Sequence, residues 1–403
     1  MKNNLSEIDL LQTNEGLVER AKSFVSKLRE RACETEELRR VPEDVIAAMK
    51  DEGLFKILRP KRYGGHQANI RTYLDCLVEI SRGCGSTGWV YSLCNIRELM
   101  IAESFSEKTH QEIYGQGTDV VFAGVFEPRE ISVRRVDGGY YIDQGKWMFC
   151  SGSVHATWGY FGMPIVDEAG VIVDQGLITL PFKDIEIGDD WHTLGMRGTS
   201  SHSVIIKDTF IPDHRCVSLS EAKNGNFQSK HLRDESLYNT ALFPALNLSL
   251  SAPALGIARA ALDLFMERLP NRRISYTFYN KQIEAPVTHL QLSEASLKID
   301  SAAMHFYRVA DELDAFAESG KYMDVKTRVK VNGDMGIAVE YCKEALDILI
   351  GASGGSYIYD GNPLQRVFRD FWSMYVHGAI LPSSQLETYG RSLCGLEPNK
   401  DFL

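Results

Sequence analysis

The sequence lacks the features that mark membrane-spanning, secreted and metal-binding proteins. No apolar run approaches the roughly 20 residues that a membrane helix requires, and the polar residues 1–6 do not lead into the apolar stretch of a secretion signal. The eight cysteines are scattered without a Cys-x-x-Cys pair, and the ten histidines form no His-Glu-x-x-His motif. These absences predict a cytoplasmic protein with reduced thiols, no metal and no membrane contact.

An excess of basic residues is also absent. The 44 Lys and Arg residues are outnumbered by 54 Asp and Glu residues, so the net charge is −10 at pH 7. Because a nucleic-acid-binding protein needs a basic face for the phosphates, we expect no nucleic-acid partner. What is present is a chain of 403 residues, 44% of them hydrophobic, which is long enough to bury a core in two or three lobes.

One glycine-rich motif occurs, and its surroundings decide what it means. Residues 83–88 match Gly-x-Gly-x-x-Gly, the dinucleotide fingerprint, which requires a preceding strand and a βαβ unit. Here Ile70–Arg82 precedes and Ser86–Glu98 follows, and both have helical apolar spacing. We therefore predict a corner between two helices, capped by Ser86 or Thr87, without a nicotinamide site.

The spacing of apolar residues changes twice along the chain. Helical spacing fills residues 1–118, strand-like runs fill 119–222, and helical spacing returns in 223–403. In the middle region Asp137-Gly138-Gly139 predicts a hairpin, because such a turn needs positive φ. The last region holds four long helical patterns, Leu246–Leu269, Pro286–Phe316, Val325–Leu349 and Pro363–Leu393. The expected fold class is α+β, with an N-terminal helical domain, a middle β domain and a C-terminal four-helix bundle.

Four blocks of the sequence, in this order, resemble one family. They are residues 123–128 with 136–156, which include Gly145-Lys146-Trp147-Met148-Phe149-Cys150-Ser151-Gly152, then Trp191–Ser200, then Ala254–Ala258, and finally Gly351–Gly355 with Leu364–Asp370. They resemble the group D flavin monooxygenases, relatives of the acyl-CoA dehydrogenases that include 4-hydroxyphenylacetate and seco-steroid phenol hydroxylases. The similarity extends from about Thr35 to Pro398. Trp191–Ser200 looks like the second flavin-contacting strand segment of that family.

The resemblance implies the acyl-CoA dehydrogenase fold and the oxygenase component of a two-component flavin monooxygenase. Such an enzyme takes reduced FMN or FAD from a separate NAD(P)H:flavin reductase, and O₂ then gives a C4a-hydroperoxyflavin that hydroxylates a small aromatic substrate. Because bundle elements serve a neighbour's site in relatives, a homotetramer is implied as well. Within the oxygenases, an amine or amino-sugar N-oxygenase on the same fold is the alternative.

The competing enzyme class is a flavin desaturase resembling the acyl-CoA dehydrogenases. Those relatives carry a Glu base that removes the α-proton of the substrate. At the two places where the resemblance would put it, this sequence reads Tyr375-Val376-His377-Gly378 and Ala245-Leu246-Asn247-Leu248, without a carboxylate. Dehydrogenation is therefore disfavoured. His377 aligns instead with a histidine near the flavin in hydroxylases of the family, and a helix histidine bonded to a backbone carbonyl is its structural alternative.

By the same resemblance, the candidate catalytic residues are Ser151 and His377. Ser151 would hydrogen-bond the flavin adduct and delay its decay to H₂O₂, although strand alternation allows only one of Cys150 and Ser151 to face the ring. The candidate cofactor-binding residues are Trp147, Phe149, Cys150, Ser151, Arg197, Thr199, Ser200, Arg272, Gly354, Gly355, Gln365 and Arg369. Trp147 and Phe149 would exclude water, whereas Arg272 and the Gly354-Gly355 turn would hold the phosphate end.

The expected substrate class depends on a histidine that this sequence lacks. Phenol hydroxylases of the family place a histidine near the helix that here reads Leu93–Glu98, and this segment has none. An electron-rich ring such as indole would not need that histidine, so we expect an indole-type or phenol-type aromatic substrate. Arg97 is a candidate partner for a substrate carboxylate, with a surface salt bridge as the alternative. The candidate substrate-binding residues are Asn95, Arg97, Phe126, Asn247 and Tyr375.

Overall fold

The computed structural model describes residues 13–115, 117, 119–400 and 403. The polar residues 1–6, which carry the expectation about secretion, lie outside the described residues. The N-terminal region is helical, as predicted. Its described helices are α1 (Asn14–Ser23), α2 (Val25–Glu30), α3 (Ala32–Leu38), α4 (Glu43–Asp51), α5 (Ile70–Gly83), α6 (Gly85–Ser104) and α7 (Glu107–Tyr114).

The glycine-rich motif forms a corner between α5 and α6, which confirms the predicted helix–helix junction. No strand precedes it in the described chain, so the dinucleotide fingerprint has no βαβ context. The predicted cap is wrong. Cys84 occupies the cap position of α6 without a side-chain hydrogen bond, and Ser86 and Thr87 lie inside the helix as buried residues.

The glycines of this corner allow close contact between helices. A Cβ on Gly88 would lie 2.1 Å from the Ser81 hydroxyl oxygen, and one on Gly85 would lie 3.2 Å from the Asp370 side chain. Any larger residue would push α6 away from α5 or from the C-terminal helices. The motif therefore serves helix packing, because its glycines have no side chains that would separate the helices.

Eight strands form two four-stranded sheets in the middle region. They are β1 (Phe122–Ala123), β2 (Pro128–Val136), β3 (Gly139–Cys150), β4 (Trp158–Val166), β5 (Ile172–Pro181), β6 (Glu186–Ile187), β7 (His202–Pro212) and β8 (Cys216–Ser218). The sheet orders are β1-β4-β5-β8 and β2-β3-β7-β6, and only the β1–β4 pair is parallel in the described chain. Val136 pairs with Gly139 and Gly138 has φ 75°, which confirms the hairpin.

The C-terminal region holds more helices than its apolar patterns predict. The described helices are α8 (Leu219–Ala222), α9 (Leu242–Ser251), α10 (Pro253–Arg268), α11 (Pro286–Glu318), α12 (Val325–Ser353), α13 (Pro363–Tyr375) and α14 (Pro382–Leu393). The pattern over Pro363–Leu393 is two helices, because the chain turns after Tyr375 and restarts at Pro382, whose ring fits a first helical position. The pattern over Leu246–Leu269 is likewise divided, at Ala252.

Two hydrophobic clusters hold these elements together. The larger cluster joins the N-terminal helices to the C-terminal helices, and the smaller cluster combines side chains of both sheets. Six of the eight cysteines are buried as free thiols, and Cys33 and Cys394 are exposed. The stretch Leu242–Asn271 is long and apolar enough to cross a membrane, contrary to expectation, but 83% of its most hydrophobic window is buried inside the protein.

Candidate active site

A chain of hydrogen bonds runs from α6 across the end of β3. The indole N–H of Trp89 donates to the Ser151 hydroxyl (3.1 Å), which lies 2.7 Å from the Ser201 hydroxyl. Ser201 lies 2.6 Å from the Thr199 hydroxyl, which donates to the carbonyl of Met196 (2.8 Å). Since the carbonyl can only accept, each hydroxyl donates to the next one along. The hydrogen of Ser151 therefore points to Ser201, and its oxygen accepts from Trp89.

The end of β3 is irregular, and this decides which side chain reaches the chain of hydroxyls. Phe149 has φ 64°, and the pairing with β7 shifts register between Trp147 and Cys150. Cys150 is buried with the inter-sheet cluster, so Ser151 enters the polar site. Trp147 packs in the same cluster and donates to the carbonyl of Gly162 (2.9 Å), which places its ring away from Ser151's hydrogen bonds.

Phe149 projects from the protein at the same strand end. Its side chain is 67% exposed and meets the Trp191 ring edge-on at 6.0 Å. The two rings thus form an apolar rim beside the hydroxyls, and Phe149 is positioned to exclude water from a bound ligand.

The segment 191–200 is a loop, so the prediction that it forms a strand is wrong. It ends in a 3₁₀ turn at Arg197–Thr199, flanked by Met196 (φ 52°) and Ser200 (φ 46°), and β7 begins at His202. A 3₁₀ turn with a left-handed residue on each side interrupts the extended backbone that a strand requires. The loop brings the Thr199 hydroxyl to 2.6 Å from the Ser201 hydroxyl and buries the Ser200 hydroxyl beside them in the chain.

Helix α13 fixes this loop through two neighbouring side chains. The Asp370 carboxylate accepts from the backbone N–H of Met196 (2.6 Å), and Arg369 donates to the carbonyl of Leu194 (2.7 Å). A Cβ on Gly195 would lie 2.1 Å from the carbonyl oxygen of Arg369, so only glycine permits this approach. Burial raises the pKa of Asp370 to about 6, even though the Met196 N–H opposes that rise.

Arg369 also joins an arginine cluster, defined as Arg197, Arg366 and Arg369 around Glu36 of α3. Burial raises the pKa of Glu36, but the hydrogen bond and charge of Arg369, with the two other guanidinium groups, bring it below its usual value. Arg369 further donates to the side chain of Gln365 (2.9 Å). The predicted cofactor residues Gln365 and Arg369 are therefore engaged within the protein, where they connect α3, the loop and α13.

His377 packs against the Trp89 indole. The two ring centroids are 5.7 Å apart, so Trp89 contacts both candidate catalytic residues. The backbone N–H of Ala379 donates to His377 Nδ1 (3.3 Å), which assigns the ring hydrogen to Nε2 and replaces the alternative of a bond to a backbone carbonyl. Desolvation by the surrounding atoms lowers the pKa of His377, which favours this neutral form.

Two predicted substrate residues hold the fold instead. The Asn95 amide donates to the carbonyls of Leu54 (3.0 Å) and Tyr91 (3.1 Å), and its oxygen accepts from the N–H of Ile57 (3.2 Å). Asn95 is fully buried by these contacts, so the prediction that it binds substrate is wrong. The Tyr375 hydroxyl donates to Glu340 of α12 (2.7 Å), which directs it to a neighbouring helix.

Three other predicted substrate residues line the contact of α6 and α9 with their neighbours. Asn247 donates to Asn332 of α12 (3.0 Å) and is buried. Phe126 meets the ring of Phe243 at 6.3 Å. Arg97 is 8% exposed and forms no ion pair with any described residue, so the alternative of a surface salt bridge is wrong.

The predicted phosphate-binding residues form a second group. A Cβ on Gly354 would lie 2.9 Å from an Arg272 nitrogen, and Gly354 has φ 57°. Burial lowers the pKa of Arg272, with the charge of Arg268 adding to the effect. Within the described residues, no hydrogen bond or ion pair connects this group to the Ser151 chain.

The polar cluster fits the polar edge of a flavin ring. Ser200 Oγ and Arg197 Nε are buried and have no hydrogen-bond partner among the described residues. Arg197 begins the 3₁₀ turn that contains Thr199 and Ser200 follows it, and the Ser153 hydroxyl donates to the carbonyl of Ser200 (2.9 Å). Unpartnered buried donors are costly unless a ligand satisfies them, and an isoalloxazine offers carbonyl and ring-nitrogen acceptors.

Two residues of the site, Trp89 and Ser201, were not predicted from the sequence. Trp89 lies on α6 directly after the glycine corner, and Ser201 follows the recognised segment 191–200. The run Thr199-Ser200-Ser201-His202-Ser203 was the available signal, because consecutive hydroxyl residues before a strand are unusual for a core element.

Comparisons with known proteins agree with this arrangement. Two family models match the chain, the N-terminal domain of acyl-CoA dehydrogenase over residues 12–115 and its C-terminal domain over residues 248–381. The oxygenase subunit HsaA of a flavin-dependent monooxygenase from Rhodococcus jostii is 32% identical over 94% of this chain and 98% of its own length. The oxygenase component of an FADH(2)-dependent resorcinol hydroxylase from Rhizobium sp. is 27% identical over 96% of this chain and 96% of its own.

A solved structure gives the same result in three dimensions. XiaF from Streptomyces sp., in complex with FADH2 and glycerol, is 30% identical and superposes with a TM-score of 0.90. The match covers 97% of this chain and 98% of that chain.

Proposed function

The chain belongs to the oxygenase subunits of the flavin-dependent monooxygenases, which have the acyl-CoA dehydrogenase fold, and on this basis we propose that it hydroxylates a small aromatic substrate with O₂ and reduced FMN or FAD. A separate NAD(P)H:flavin reductase supplies the reduced flavin, and the enzyme works in the cytoplasm. The observation that carries the proposal is the hydroxyl chain that connects Trp89, Ser151, Ser201 and Thr199 beside His377.

Each part of this site has a task in the proposed reaction. Reduced flavin, when bound, supplies the activation of O₂. The buried Ser200 hydroxyl is available to hydrogen-bond the ring, and Ser151 offers a lone pair held in place by Trp89 and Ser201. His377 Nε2 carries a hydrogen for donation to an oxygen of the reacting group. Phe149 and Trp191 restrict water at the rim.

The aromatic substrate class is supported by the side chains between α6, β4 and α9. Phe126 contacts Tyr160 at 5.9 Å and Phe243 at 6.3 Å between ring centroids, which gives a surface for a planar ring. The resorcinol hydroxylase relative acts on a phenol by its name. The absence of a histidine in Leu93–Glu98 favours an indole-type substrate over a phenol, because an indole needs no removal of a phenolic proton.

We further propose a homotetramer. Helix α11 exposes an apolar stripe, which consists of Val287, Leu290, Leu297 and Met304 with 52–72% of each residue accessible. Their spacing of three and seven residues places them on one face of the helix, and such a stripe is typical of a helix–helix interface. A neighbouring copy would also bring its Arg272 and Gly354 group to the phosphate end of the flavin.

The decisive experiment is anaerobic stopped-flow mixing of the protein and reduced FMN or FAD with oxygenated buffer, without substrate. We expect the absorbance of oxidised flavin to return after a delay of many times that of free reduced flavin, and H₂O₂ to form only after this delay. Addition of indole or a simple phenol should convert part of the consumed O₂ into hydroxylated product. Immediate reoxidation at the free-flavin rate would contradict the proposal, and reduction of bound flavin by an acyl-CoA would support the desaturase.

A further inference from the structure

Arg97 is a buried cation without a buried anion. Its guanidinium donates to the carbonyls of Leu93 (2.8 Å) and Gly124, and no carboxylate of the described residues lies within ion-pair distance. The adjacent Glu98 belongs to another ion pair, because it accepts from Arg59 and from the Tyr114 hydroxyl. Backbone carbonyls supply only partial charge, so the positive charge of Arg97 is not balanced.

The titratable groups nearest to Arg97 cannot balance it either. They are the thiols of Cys94 and Cys150 and the phenols of Tyr73 and Tyr160. Burial raises the pKa of both thiols to about 12 and raises the pKa of both phenols above its usual value, so all four are neutral at pH 7. Burial correspondingly lowers the pKa of Arg97, but an arginine keeps its proton at neutral pH.

The position of Arg97 relates it to the candidate active site. Val90, Cys94 and Arg97 share one face of α6, and a Cβ on Gly152 would lie 3.3 Å from Val90 and 3.5 Å from Cys94. Gly152, the residue after Ser151, therefore packs between one and two turns before Arg97 on the same helix face. Three to seven residues of α-helix span about 4.5–10 Å, a range that includes an aromatic ring with a short side chain.

Aromatic and polar groups surround the same place. Arg97 bonds Gly124, whose Cβ position would meet the backbone of Tyr160, and the Tyr160 ring stands edge-on to Phe126 at 5.9 Å. The Tyr160 hydroxyl is buried and neighbours the Ser104 hydroxyl. A guanidinium beside aromatic rings forms a complementary surface for a ring that carries an anion.

We propose that Arg97 binds the carboxylate of an aromatic carboxylic acid substrate, with the substrate ring against Phe126 and Tyr160. This inference rests on the proposed monooxygenase function and specifies its substrate. The planar fork of Arg97 matches a carboxylate with two parallel hydrogen bonds, and the bound acid balances the charge that the fold leaves unpaired. A neutral aromatic molecule of the same shape contacts Phe126 and Tyr160 but leaves the charge of Arg97 unbalanced.

The test compares each acid with its own amide. Binding of indole-3-acetate and indole-3-acetamide, and of 4-hydroxyphenylacetate and 4-hydroxyphenylacetamide, is measured by equilibrium dialysis with the flavin-loaded wild-type protein at neutral pH. We expect at least one acid to bind roughly 10-fold or more tightly than its amide, since a buried charged hydrogen bond is lost in the amide. Equal affinity within both pairs, or preference for the amides, overturns the proposal.

Substitutions test whether Arg97 is the source of the preference for the acid. Arg97→Met should abolish the preference for the acid, and Arg97→Lys should keep part of it, because the lysine retains the charge without the fork. Arg134→Met is the matched control, since Arg134 is an exposed arginine that pairs with Asp143 on the hairpin, and its preference should equal that of wild type. A preference for the acid that survives in Arg97→Met overturns the assignment.

The monooxygenase function and the binding of an acid by Arg97 can be refuted independently of each other. Delayed flavin reoxidation in wild type without a preference for acids leaves the monooxygenase standing and removes the role of Arg97. A preference for acids with immediate reoxidation establishes the acid site and removes the monooxygenase. The wild-type comparison needs no substitution, so an Arg97 variant that does not fold leaves the test intact.

Discussion

Two buried arginines on facing segments differ in one respect, which is whether an acid accompanies them. Arg59 is 5% exposed and pairs with Glu98 at 2.6 Å, whereas Arg97, at 8% exposed, bonds only backbone carbonyls. Removal of one partner of a buried pair leaves the other charge without compensation, which is more costly than the pair itself is favourable. The same substitution should therefore have different effects at the two positions.

Arg59→Met should lower the free energy of unfolding by about 3–5 kcal/mol, because Glu98 is left buried beside Tyr114. Arg97→Met should lower it by about 1 kcal/mol or less, because the loss of two hydrogen bonds is offset by the removal of an unbalanced buried charge. Urea denaturation of the two variants beside wild type measures both values. Equal losses would contradict the charge assignment for Arg97.

Ser151→Ala should uncouple flavin oxidation from hydroxylation. The substitution removes the acceptor of the Trp89 N–H and the donor to Ser201, so the order of the hydroxyl chain is lost. Trp89→Phe should act in the same direction, since it keeps a ring and removes the N–H. The measurement is H₂O₂ formed per reduced flavin consumed, which we expect to rise severalfold. Ser132→Ala, an exposed serine bonded to Asp143, is the control and should keep wild-type coupling.

At the residue scale, the sequence indicates which residues belong to the site more readily than which residues they contact. Ser151 and Thr199 lie in segments that resemble known ones, and the structure connects them through Ser201. The partner Trp89 comes from a helix about 60 positions away, and no local pattern reveals such a contact. Asn95 was assigned wrongly because helical position does not show whether an amide bonds a neighbouring backbone.

At the scale of elements, the loop that carries Thr199 depends on α13. Met196 is left-handed and is stabilised by the hydrogen bond from its N–H to the Asp370 carboxylate. An Asp370→Asn variant keeps an acceptor for this N–H and removes the titration, whereas Asp370→Leu removes both. Only the leucine variant should disorder the loop, and its flavin affinity should fall roughly 10-fold or more while Asn stays within a few-fold of wild type.

The raised pKa of Asp370 predicts a pH dependence of stability. The folded protein holds this proton up to pH about 6, whereas an unfolded aspartate loses it near 3.8. Because the folded state binds more protons in between, stability falls as pH rises from about 4 to about 6. Wild type should therefore lose about 2 kcal/mol relative to Asp370→Asn over this interval. Urea denaturation at several pH values checks it, and parallel curves would contradict the assignment.

The elements themselves followed from local patterns where the pattern was complete. The turn Asp137-Gly138-Gly139 matches its predicted position, because the glycines define it locally. The loop at 191–200 did not, since its shape comes from Asp370 and Arg369 far along the chain. The break after Tyr375 was missed because apolar spacing continues across it into α14.

At the scale of the whole molecule, the α11 stripe should control assembly. Leu297→Asp places a charge in the middle of the stripe and should convert the proposed tetramer into smaller species. If Arg272 and Gly354 serve a neighbour's flavin, affinity for flavin should fall with assembly. Analytical ultracentrifugation and flavin titration measure the two effects. Val173→Asp, at an exposed valine on β5, is the control and should remain wild type in both.

The shared helical core has a consequence for how the protein can change. Gly256 of α10 lies so close to α5 that a Cβ on it would be 2.4 Å from the carbonyl oxygen of Val78, and one large hydrophobic cluster extends from Leu17 to Ile380. The first and last thirds of the chain are thus one cooperative unit interrupted by the sheets. The β2–β3 turn lies outside this unit, since nothing is within 4 Å of a Cβ at Gly138, so an inserted module is better tolerated there than in the helices.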